Sequence, residues 1–338
     1  MSTFQEQRTA RLKGATEATR EFMRLGLDAG RAVDVFGVIE SKRVWLLFEP
    51  LDHLFGFFQR EQRGAGIVLH SGHPLSVQRF TAAHEYAHYA LGHELSQDSH
   101  QELFGAAGLP LQELEAQAFA AEFLMPLPLV NRALDRLALP REPRILTPIE
   151  AYQLSLEMGS SYRATITQLR QLNKIPAALV EQLQAWEPIQ IKTELGDGRR
   201  PENARADVWD VNEIRRARNL RLRVDDELHV RLPEIPTSGY RWDVDVGGAA
   251  LRPVLDELET DLHAQERLGS ALRRHLWWRA IEPGSATMSL RLVRQWQDSG
   301  AALDGLELEL TVQMPRTGLE STTGISLPQR RALVAEAA

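Results

Sequence analysis

Two histidines and one glutamate in the sequence RFTAAHEYAH (residues 79–88) have the types and spacing of a hydrolytic metal site. His84, Glu85 and His88 form an H-E-x-x-H pattern within residues 75–93, where apolar residues recur at helical spacing without a proline. Residues four apart in a helix lie about 40° apart on one face, so both imidazoles could bind one zinc ion. Glu85 on the same flank could serve as general base toward an attacking water. The pattern also occurs by chance on solvated helices, so the motif alone does not establish a zinc site. A zinc hydrolase needs a third protein ligand, which must come from another element.

The third ligand is expected from a second predicted helix, LQELEAQAFAAEFL (residues 111–124), which is bounded by prolines and rich in small alanines. His93 is disfavoured, because an ideal helix would place it about 180° around from His84. Helical spacing does not choose among the acidic candidates of the second helix, which are Glu113, Glu115 and Glu122.

The two blocks together resemble a known family. RFTAAHEYAH (79–88) followed by EAQAFAAEFLMP (115–126) resembles the ImmA/IrrE family of metallopeptidases, and the similarity extends over about residues 34–175. The resemblance implies that the two motif histidines and Glu115 bind Zn²⁺, or alternatively Mn²⁺, and that Glu85 is catalytic. Members of this family typically make a limited cut in a transcriptional repressor, in stress or prophage and defence regulation. A zinc-dependent endopeptidase whose partner is a DNA-binding repressor is therefore expected.

The elements that must position this site form a predicted zincin-like domain over residues 1–127. Helices are predicted at 5–28 and 34–40, and short strands at 44–48, 56–58 and 66–69. A small antiparallel sheet followed by the metal-binding helix is the order typical of zincins. An edge strand of such a sheet could hold an extended peptide.

Residues 128–190 are predicted to be helical and to resemble a helix-turn-helix, with one helix closing on Gly159 and the next running to about residue 172. The outer face of the second helix offers Arg163, Gln168, Arg170 and Gln171. Because the chain carries a net charge of −7, DNA binding is disfavoured relative to a scaffold or partner-docking role. A DNA-binding regulator is kept as an alternative function.

The periodicity changes from helical to alternating after a polar linker predicted at residues 191–204. Alternating apolar residues predict strands at 220–224, 228–232, 276–280, 288–292 and 306–312. A β-sandwich of about 110 residues, 205–315, is therefore expected. The tail 316–338 is predicted to be disordered.

The predicted sandwich carries a second resemblance. LPEIPTSGYRW (232–242), with PGSATMSL (283–290) and RQW (294–296), resembles the chagasin family of immunoglobulin-like inhibitors of papain-type cysteine peptidases. The resemblance implies three loops at one end of the sandwich. Its candidate interaction residues are Pro236, Thr237, Ser238, Gly239, Arg294 and Trp296.

Two departures from the chagasin pattern disfavour inhibition: Gln295 replaces a family proline, and the glycine-rich middle loop is reduced to residues 269–271. The sandwich is therefore expected to be a sensor, docking or autoregulatory module that binds another protein or a peptidase. The alternative is a non-catalytic binding protein whose sandwich inhibits or senses a peptidase. The intact Glu85 argues against this alternative, because a structural zinc site has no need of it.

Composition sets the remaining expectations. A chain of 338 residues with 43% hydrophobic content is long enough for two or three domains. It contains no cysteine, which excludes disulfides and thiolate metal ligands. No apolar run has the length of a signal peptide or membrane span, so a cytoplasmic protein without membrane association is expected. The predicted fold class is multidomain α+β: a zincin-like domain, a helical middle and an immunoglobulin-like β-sandwich.

Overall fold

A computed structural model describes residues 2–52, 54–61, 64–93, 109–139, 145–212, 219–259, 272–294, 296, 302–314 and 318–319. The helices are α1 (Phe4–Leu25), α2 (Val35–Ser41), α3 (Leu75–Leu91), α4 (Leu111–Leu124), α5 (Leu127–Arg136), α6 (Pro148–Met158), α7 (Tyr162–Gln171), α8 (Ala177–Gln184) and α9 (Pro188–Leu195). The strands are β1 (Val44–Glu49), β2 (Gly56–Glu61), β3 (Gly64–His70), β4 (Val208–Asn212), β5 (Asn219–Arg223), β6 (Glu227–Glu234), β7 (Arg241–Gly247), β8 (Leu251–Leu258), β9 (Leu272–Ala280), β10 (Gly284–Val293), β11 (Asp304–Gln313) and β12 (Gly318–Leu319). The fold is thus mixed α+β, with three four-stranded sheets. Within the described ranges, no helix has the length and hydropathy needed to cross a membrane.

The chain forms two compact units that are not continuous in sequence. Unit 1 takes the described residues of 1–131, 158–168 and 315–338, and unit 2 takes those of 132–157 and 169–314. The chain therefore passes from one unit to the other four times. Of the boundaries predicted at 127, 190, 204 and 315, the last lies next to the crossing between residues 314 and 315, and the other three lie elsewhere.

The sheet of unit 1 has the strand order β12-β1-β3-β2. It is mixed, and the prediction of an antiparallel sheet holds only in part, because β2 and β3 form an antiparallel hairpin whereas β1 runs parallel to β3. Gly66 of β3 allows Trp45 to pack directly on the strand, since a Cβ at Gly66 would lie 1.9 Å from Trp45 Cε2. The predicted disordered tail contains β12, which pairs with β1; its other residues lie outside the described part.

In unit 1, α4 packs between α1 and α3. α1 begins with a capping box at Thr3 and Glu6, and its contact with α4 is so close that a Cβ at Gly14 would lie 2.0 Å from the Glu115 backbone oxygen. Phe22 of α1 meets Phe123 of α4 with ring centroids 5.1 Å apart. This packing fixes the direction in which α4 presents its acidic side chains.

Unit 2 contains the expected sandwich, with sheets β5-β11-β10-β7 and β4-β6-β9-β8 around one apolar core. Strands β4, β7 and β8 were not anticipated from the sequence. The predicted linker 191–204 includes the end of α9, and its polar residues bond to the sheet: Arg199 to Glu227 and Glu202 to Arg279. This segment is polar because it packs against charged residues of the sheet.

The predicted helix-turn-helix corresponds to α6 and α7, but one of its predicted outer-face residues is inside. Gln168 is buried and donates a hydrogen bond to the Met125 carbonyl, so it cannot read DNA. Arg163, Arg170 and Gln171 are exposed.

Candidate metal centre

The two histidines of the H-E-x-x-H motif lie on the buried face of α3. His84 and His88 are one helical turn apart, and their Nε2 atoms approach to 3.2 Å. Ligand atoms about 2.05 Å from a tetrahedral zinc would lie about 3.3 Å apart. The two imidazoles are therefore separated as two ligands of one zinc ion would be.

The third side chain at this point is Glu113 of α4. Its Oε2 lies 3.0 Å from His84 Nε2, and its Oε1 lies 3.6 Å from His88 Nε2. His84, His88 and Glu113 form a buried cluster whose ligand atoms all lie within 4.8 Å of one another. Glu113 was one of the candidates that helical spacing left open.

The structure does not bring Glu115, which the family resemblance implied as the third ligand, to the two imidazole Nε2 atoms. Glu115 Oε2 accepts hydrogen bonds from Lys13 Nζ at 2.6 Å and from His93 Nε2 at 2.9 Å. The physical reason is the helix itself: residues two apart on α4 point about 200° apart, so only one of the two glutamates can face His84. Glu115 is held toward α1 instead.

His93 connects Glu115 to the metal cluster. Its Nδ1 lies 3.0 Å from His88 Nδ1, and its Nε2 faces Glu115. If His88 Nε2 carries the lone pair that faces Glu113, His88 Nδ1 donates to His93, and His93 Nε2 donates to Glu115. A consistent chain of hydrogen bonds therefore runs from Lys13 to His88, of the kind that orients metal-binding imidazoles.

This role of His93 was not predicted, because the helix was expected to continue to residue 93. α3 ends at Leu91, and Gly92 takes the left-handed conformation with φ of 68°. The chain then turns back, and the His93 amide donates to the His88 carbonyl. Gly92 was the signal that could have revealed this, since a glycine after the last periodic residue commonly reverses the chain.

Glu85 lies beside the cluster with both carboxylate oxygens buried. Neither oxygen accepts a hydrogen bond of ordinary geometry from any residue in the described part of the chain. Burial raises the pKa of Glu85 to about 7; His84 and a polar contact with the Phe58 backbone amide oppose this rise, and Glu113 adds to it. A buried carboxylate with a pKa of about 7 next to two imidazoles is poised to accept a proton from a bound reactant.

The two tyrosines near the motif, Tyr86 and Tyr89, make their contacts away from the metal cluster. The Tyr86 hydroxyl donates to Glu21 Oε1 at 2.6 Å inside unit 1. Tyr89 packs edge-on against Phe58, with Arg60 over its ring.

The donor set fits a zinc ion. Two imidazoles and one carboxylate form the ligand type of catalytic rather than structural zinc sites, in which a fourth position stays open. Nitrogen and oxygen donors also suit Mn²⁺. The burial of the Glu85 carboxylate beside the two imidazoles is accounted for if a metal and a reactant complete the site.

The predicted interaction residues of the sandwich lie together in unit 2. Pro236, Thr237 and Ser238 form a short 3₁₀ turn that ends at Gly239, whose φ is 76°. Trp296 packs on this glycine, since a Cβ at Gly239 would lie 2.1 Å from Trp296 Cη2. The Arg294 guanidinium lies 4.5 Å from the centre of the Tyr240 ring. The middle loop, 269–271, and Gln295 lie outside the described residues.

Two family models match the chain. Residues 40–158 match the IrrE N-terminal-like domain of the peptidase family M78, and residues 221–312 match the chagasin family peptidase inhibitor I42. Both predicted resemblances are thereby confirmed, and the first match indicates a metallopeptidase. A comparison with curated proteins gives no significant match.

Solved structures similar to this chain align with about a third of it. The cysteine protease inhibitor EhICP2 from Entamoeba histolytica is 18% identical, over 32% of this chain and 97% of its own, with a TM-score of 0.30. Amebosin is 23% identical, over 32% and 98%, with a TM-score of 0.27. TM-scores this low add nothing to the chagasin-like assignment, which rests on the family model.

Proposed function

We propose that the protein is a zinc-dependent endopeptidase that makes a limited cut in a partner protein. The observation that carries this proposal is the convergence of His84, His88 and Glu113 beside the buried carboxylate of Glu85. His84 Nε2, His88 Nε2 and one Glu113 oxygen would hold the metal. Bound there, zinc supplies Lewis acidity toward the scissile carbonyl and a lowered pKa to a coordinated water.

Glu85 is the residue that moves the proton. Its carboxylate accepts a proton from the attacking water and returns it to the leaving amine nitrogen. The buried site around it keeps bulk water from competing for that proton. His93 and Glu115 act as positioning residues, because their hydrogen bonds fix the orientation of His88.

The substrate is proposed to be a DNA-binding transcriptional repressor, in stress or prophage and defence regulation. The match of residues 40–158 to the IrrE N-terminal-like domain supports this choice. The strand order also supports a peptide substrate, since β2 lies at an edge of its sheet and packs against α3. An extended segment could add to that edge and lie beside Glu85.

The sandwich is proposed to be the docking or sensor module. Trp296 is 68% exposed although it packs on Gly239, and Ile235 beside the turn is 38% exposed. Exposed aromatic and aliphatic side chains on a defined loop are typical anchors for a protein partner. A peptidase is the second candidate partner, favoured by the match to the chagasin family.

Metal analysis by mass spectrometry tests the metal assignment. Glu113→Gln should lose the metal bound at the H-E-x-x-H site, whereas Glu85→Gln should keep it and lose cleavage of a repressor panel. Glu115→Gln is the matched control and should retain stoichiometric metal at raised zinc, with weaker affinity. Loss of metal in Glu115→Gln with retention in Glu113→Gln would overturn the ligand set. A folded wild type without metal at this site would overturn the peptidase.

Docking through the sandwich is tested with Trp296→Ala. This variant should raise KM for the cut repressor several-fold, with unchanged metal content and unchanged cleavage of a short peptide that spans the cut. Trp186→Ala, which removes another partly exposed tryptophan, is the control. Equal KM values for wild type and Trp296→Ala would argue against docking at these loops.

A further inference from the structure

A second cluster of metal-ligating side chains lies in unit 2, on the outer face of the sheet β4-β6-β9-β8. His229 of β6 and His275 of β9 are diagonal neighbours, since His229 pairs with Trp277 in the antiparallel register. The residues flanking them, Leu228 and Leu276, point into the sandwich core. The two histidines therefore share the opposite face, where His229 Nε2 lies 3.1 Å from His275 Nδ1.

The third member comes from the segment after α9. Asp197 has a left-handed backbone with φ of 51°, and its amide bonds to the Glu194 carbonyl in the turn that ends the helix. Its Oδ2 lies 3.5 Å from His275 Nδ1. One ligand atom from each of Asp197, His229 and His275 can be chosen so that all lie within 4.8 Å of one another.

Hydrogen bonding and packing prepare His229 to act as a ligand. His229 Nδ1 faces the Leu195 carbonyl at 3.1 Å, and since a carbonyl only accepts, Nδ1 carries the proton. Nε2 then presents its lone pair toward His275. The ring is fixed by stacking on Trp277, with centroids 3.9 Å apart and planes 14° apart.

We propose that Asp197, His229 and His275 form a second site for a divalent transition metal, zinc in the first instance. The separations of 3.1 and 3.5 Å match those of ligands around a tetrahedral zinc, which are about 3.3 Å. Two imidazoles and one carboxylate suit zinc, and the exposed Asp197 leaves a further coordination position to solvent. The neighbouring arginines are neutralised by carboxylates: Arg199 bonds to Glu227 and Arg231 to Asp210.

A metal at this site would fasten the C-terminal turn of α9 to the sandwich. The Leu195 carbonyl orients His229, and Asp197 lies two residues further along the same turn. Binding would thus stabilise unit 2 independently of the H-E-x-x-H centre. Without metal, the same geometry is a hydrogen bond from His275 Nδ1 to His229 Nε2. The two possibilities are distinguished by whether added metal binds and raises the stability of the protein.

The experiment is a titration of the full-length, metal-stripped protein with Co²⁺ and Zn²⁺, followed by absorbance and thermal unfolding. Wild type should bind two equivalents. His84→Ala, which destroys the first site, should bind one equivalent and gain Tm on adding zinc. His84→Ala combined with His275→Ala, or with Asp197→Ala, should bind none and gain nothing.

Asp243→Asn in the His84→Ala background is the matched control, because it removes an exposed carboxylate from the other sheet and should leave the single equivalent. Circular dichroism checks that each variant is folded, and the exposed Asp197 can be changed without disturbing the core. Failure of His84→Ala to bind metal while folded would overturn this second site and leave the first untouched. Binding that persists in both double variants would overturn the ligand set.

Discussion

At the residue scale, the metal centre depends on which of two glutamates on α4 faces α3. Glu113 points to the imidazoles, and Glu115 points to Lys13 and His93. Both carboxylates are buried, but Glu113 faces the motif histidines as a ligand, whereas Glu115 faces His93 as a positioning group. This division leads to a prediction that concerns His93, which the motif does not contain.

His93→Phe should weaken zinc binding without unfolding the protein. The change fills a similar volume but removes the acceptor for His88 Nδ1 and the donor to Glu115. Loss of such supporting hydrogen bonds typically reduces metal affinity by about 10–100-fold. Competition with a chromophoric chelator measures the affinity at the H-E-x-x-H site.

His70→Ala is the control for that measurement, since His70 stacks on His73 with ring centroids 4.2 Å apart and its Nδ1 accepts a hydrogen bond from the Gly72 amide. Its zinc affinity should equal that of wild type. An unchanged zinc affinity in His93→Phe would show that the hydrogen-bond chain does not orient His88 for metal binding.

A second residue-scale prediction concerns Glu21, a buried carboxylate that receives hydrogen bonds from Tyr86 and Arg24 and pairs with Lys42. Burial alone would raise its pKa, but the bonds from Lys42, Tyr86 and Arg24 outweigh burial and lower it. A lowered folded-state pKa contributes stability above the unfolded carboxyl pKa of about 4.3, and this stability is lost as pH falls through the lower folded value.

Glu21→Gln should therefore lower the urea midpoint at pH 7, by an amount equivalent to about 1–3 kcal/mol, and the difference from wild type should shrink toward pH 3. Urea unfolding at several pH values provides the test. Glu181→Gln, which removes the same charge from the exposed surface of α8, should give a small difference at every pH. A Glu21→Gln deficit that grows on acidification would contradict the sign.

At the element scale, the close contact between α1 and α4 yields the next prediction. Gly14→Ala would place a methyl group 2.0 Å from the Glu115 backbone oxygen, so the two helices must separate. We expect the free energy of unfolding to fall by about 1–3 kcal/mol. The same change on an exposed helix surface would instead raise it by about 1 kcal/mol. Thermal unfolding measures it.

Gly37→Ala in α2 is the matched control, since the nearest atoms to its new Cβ belong to the Asp34 side chain, which can move. Zinc affinity should also fall in Gly14→Ala, because Lys13 and Glu115 flank this contact. A Gly14→Ala protein at least as stable as wild type would show that α1 and α4 tolerate separation.

The elements that the sequence predicted well are those with a clear period. The apolar period of 3.6 predicted α3, the bounding prolines and small alanines predicted α4, and alternation predicted β6, β10 and β11. β8 was missed because Pro253 interrupts it at a register shift, where a proline is tolerated within a strand. The side of α4 that faces the imidazoles could not be predicted, since it depends on the packing of α1.

At the scale of the whole molecule, sequence blocks and compact units differ. The helical region predicted as one domain, 128–190, is divided between units 1 and 2. Domain boundaries are predicted where composition changes along the chain, and composition does not reveal a contact formed by a distant segment. α6 is the clearest case, because it belongs to the helical block by sequence and bonds to the sandwich.

The bonds between α6 and β4 show why the predicted sandwich is incomplete at residue 205. Gln153 Nε2 donates to the Val208 carbonyl and Gln153 Oε1 accepts from the Asp210 amide, so one side chain pairs with the edge strand. The Tyr152 hydroxyl donates to Asp207 and accepts from the Val208 amide. An uncovered edge strand promotes association with other chains.

A fragment of residues 205–315 should therefore be less stable than one of residues 132–314, which keeps α6 and α9. Four hydrogen bonds at about 0.5–1.5 kcal/mol each amount to roughly 2–6 kcal/mol, which at about 4 °C per kcal/mol lowers Tm by roughly 8–24 °C. Gln153→Ala in the longer fragment should lower its Tm by part of that difference, because the change removes two of the four hydrogen bonds. Circular dichroism gives the Tm and size-exclusion chromatography the association. A monomeric 205–315 fragment with the Tm of the longer one would mean that α6 neither stabilises the sandwich nor protects its edge strand from association.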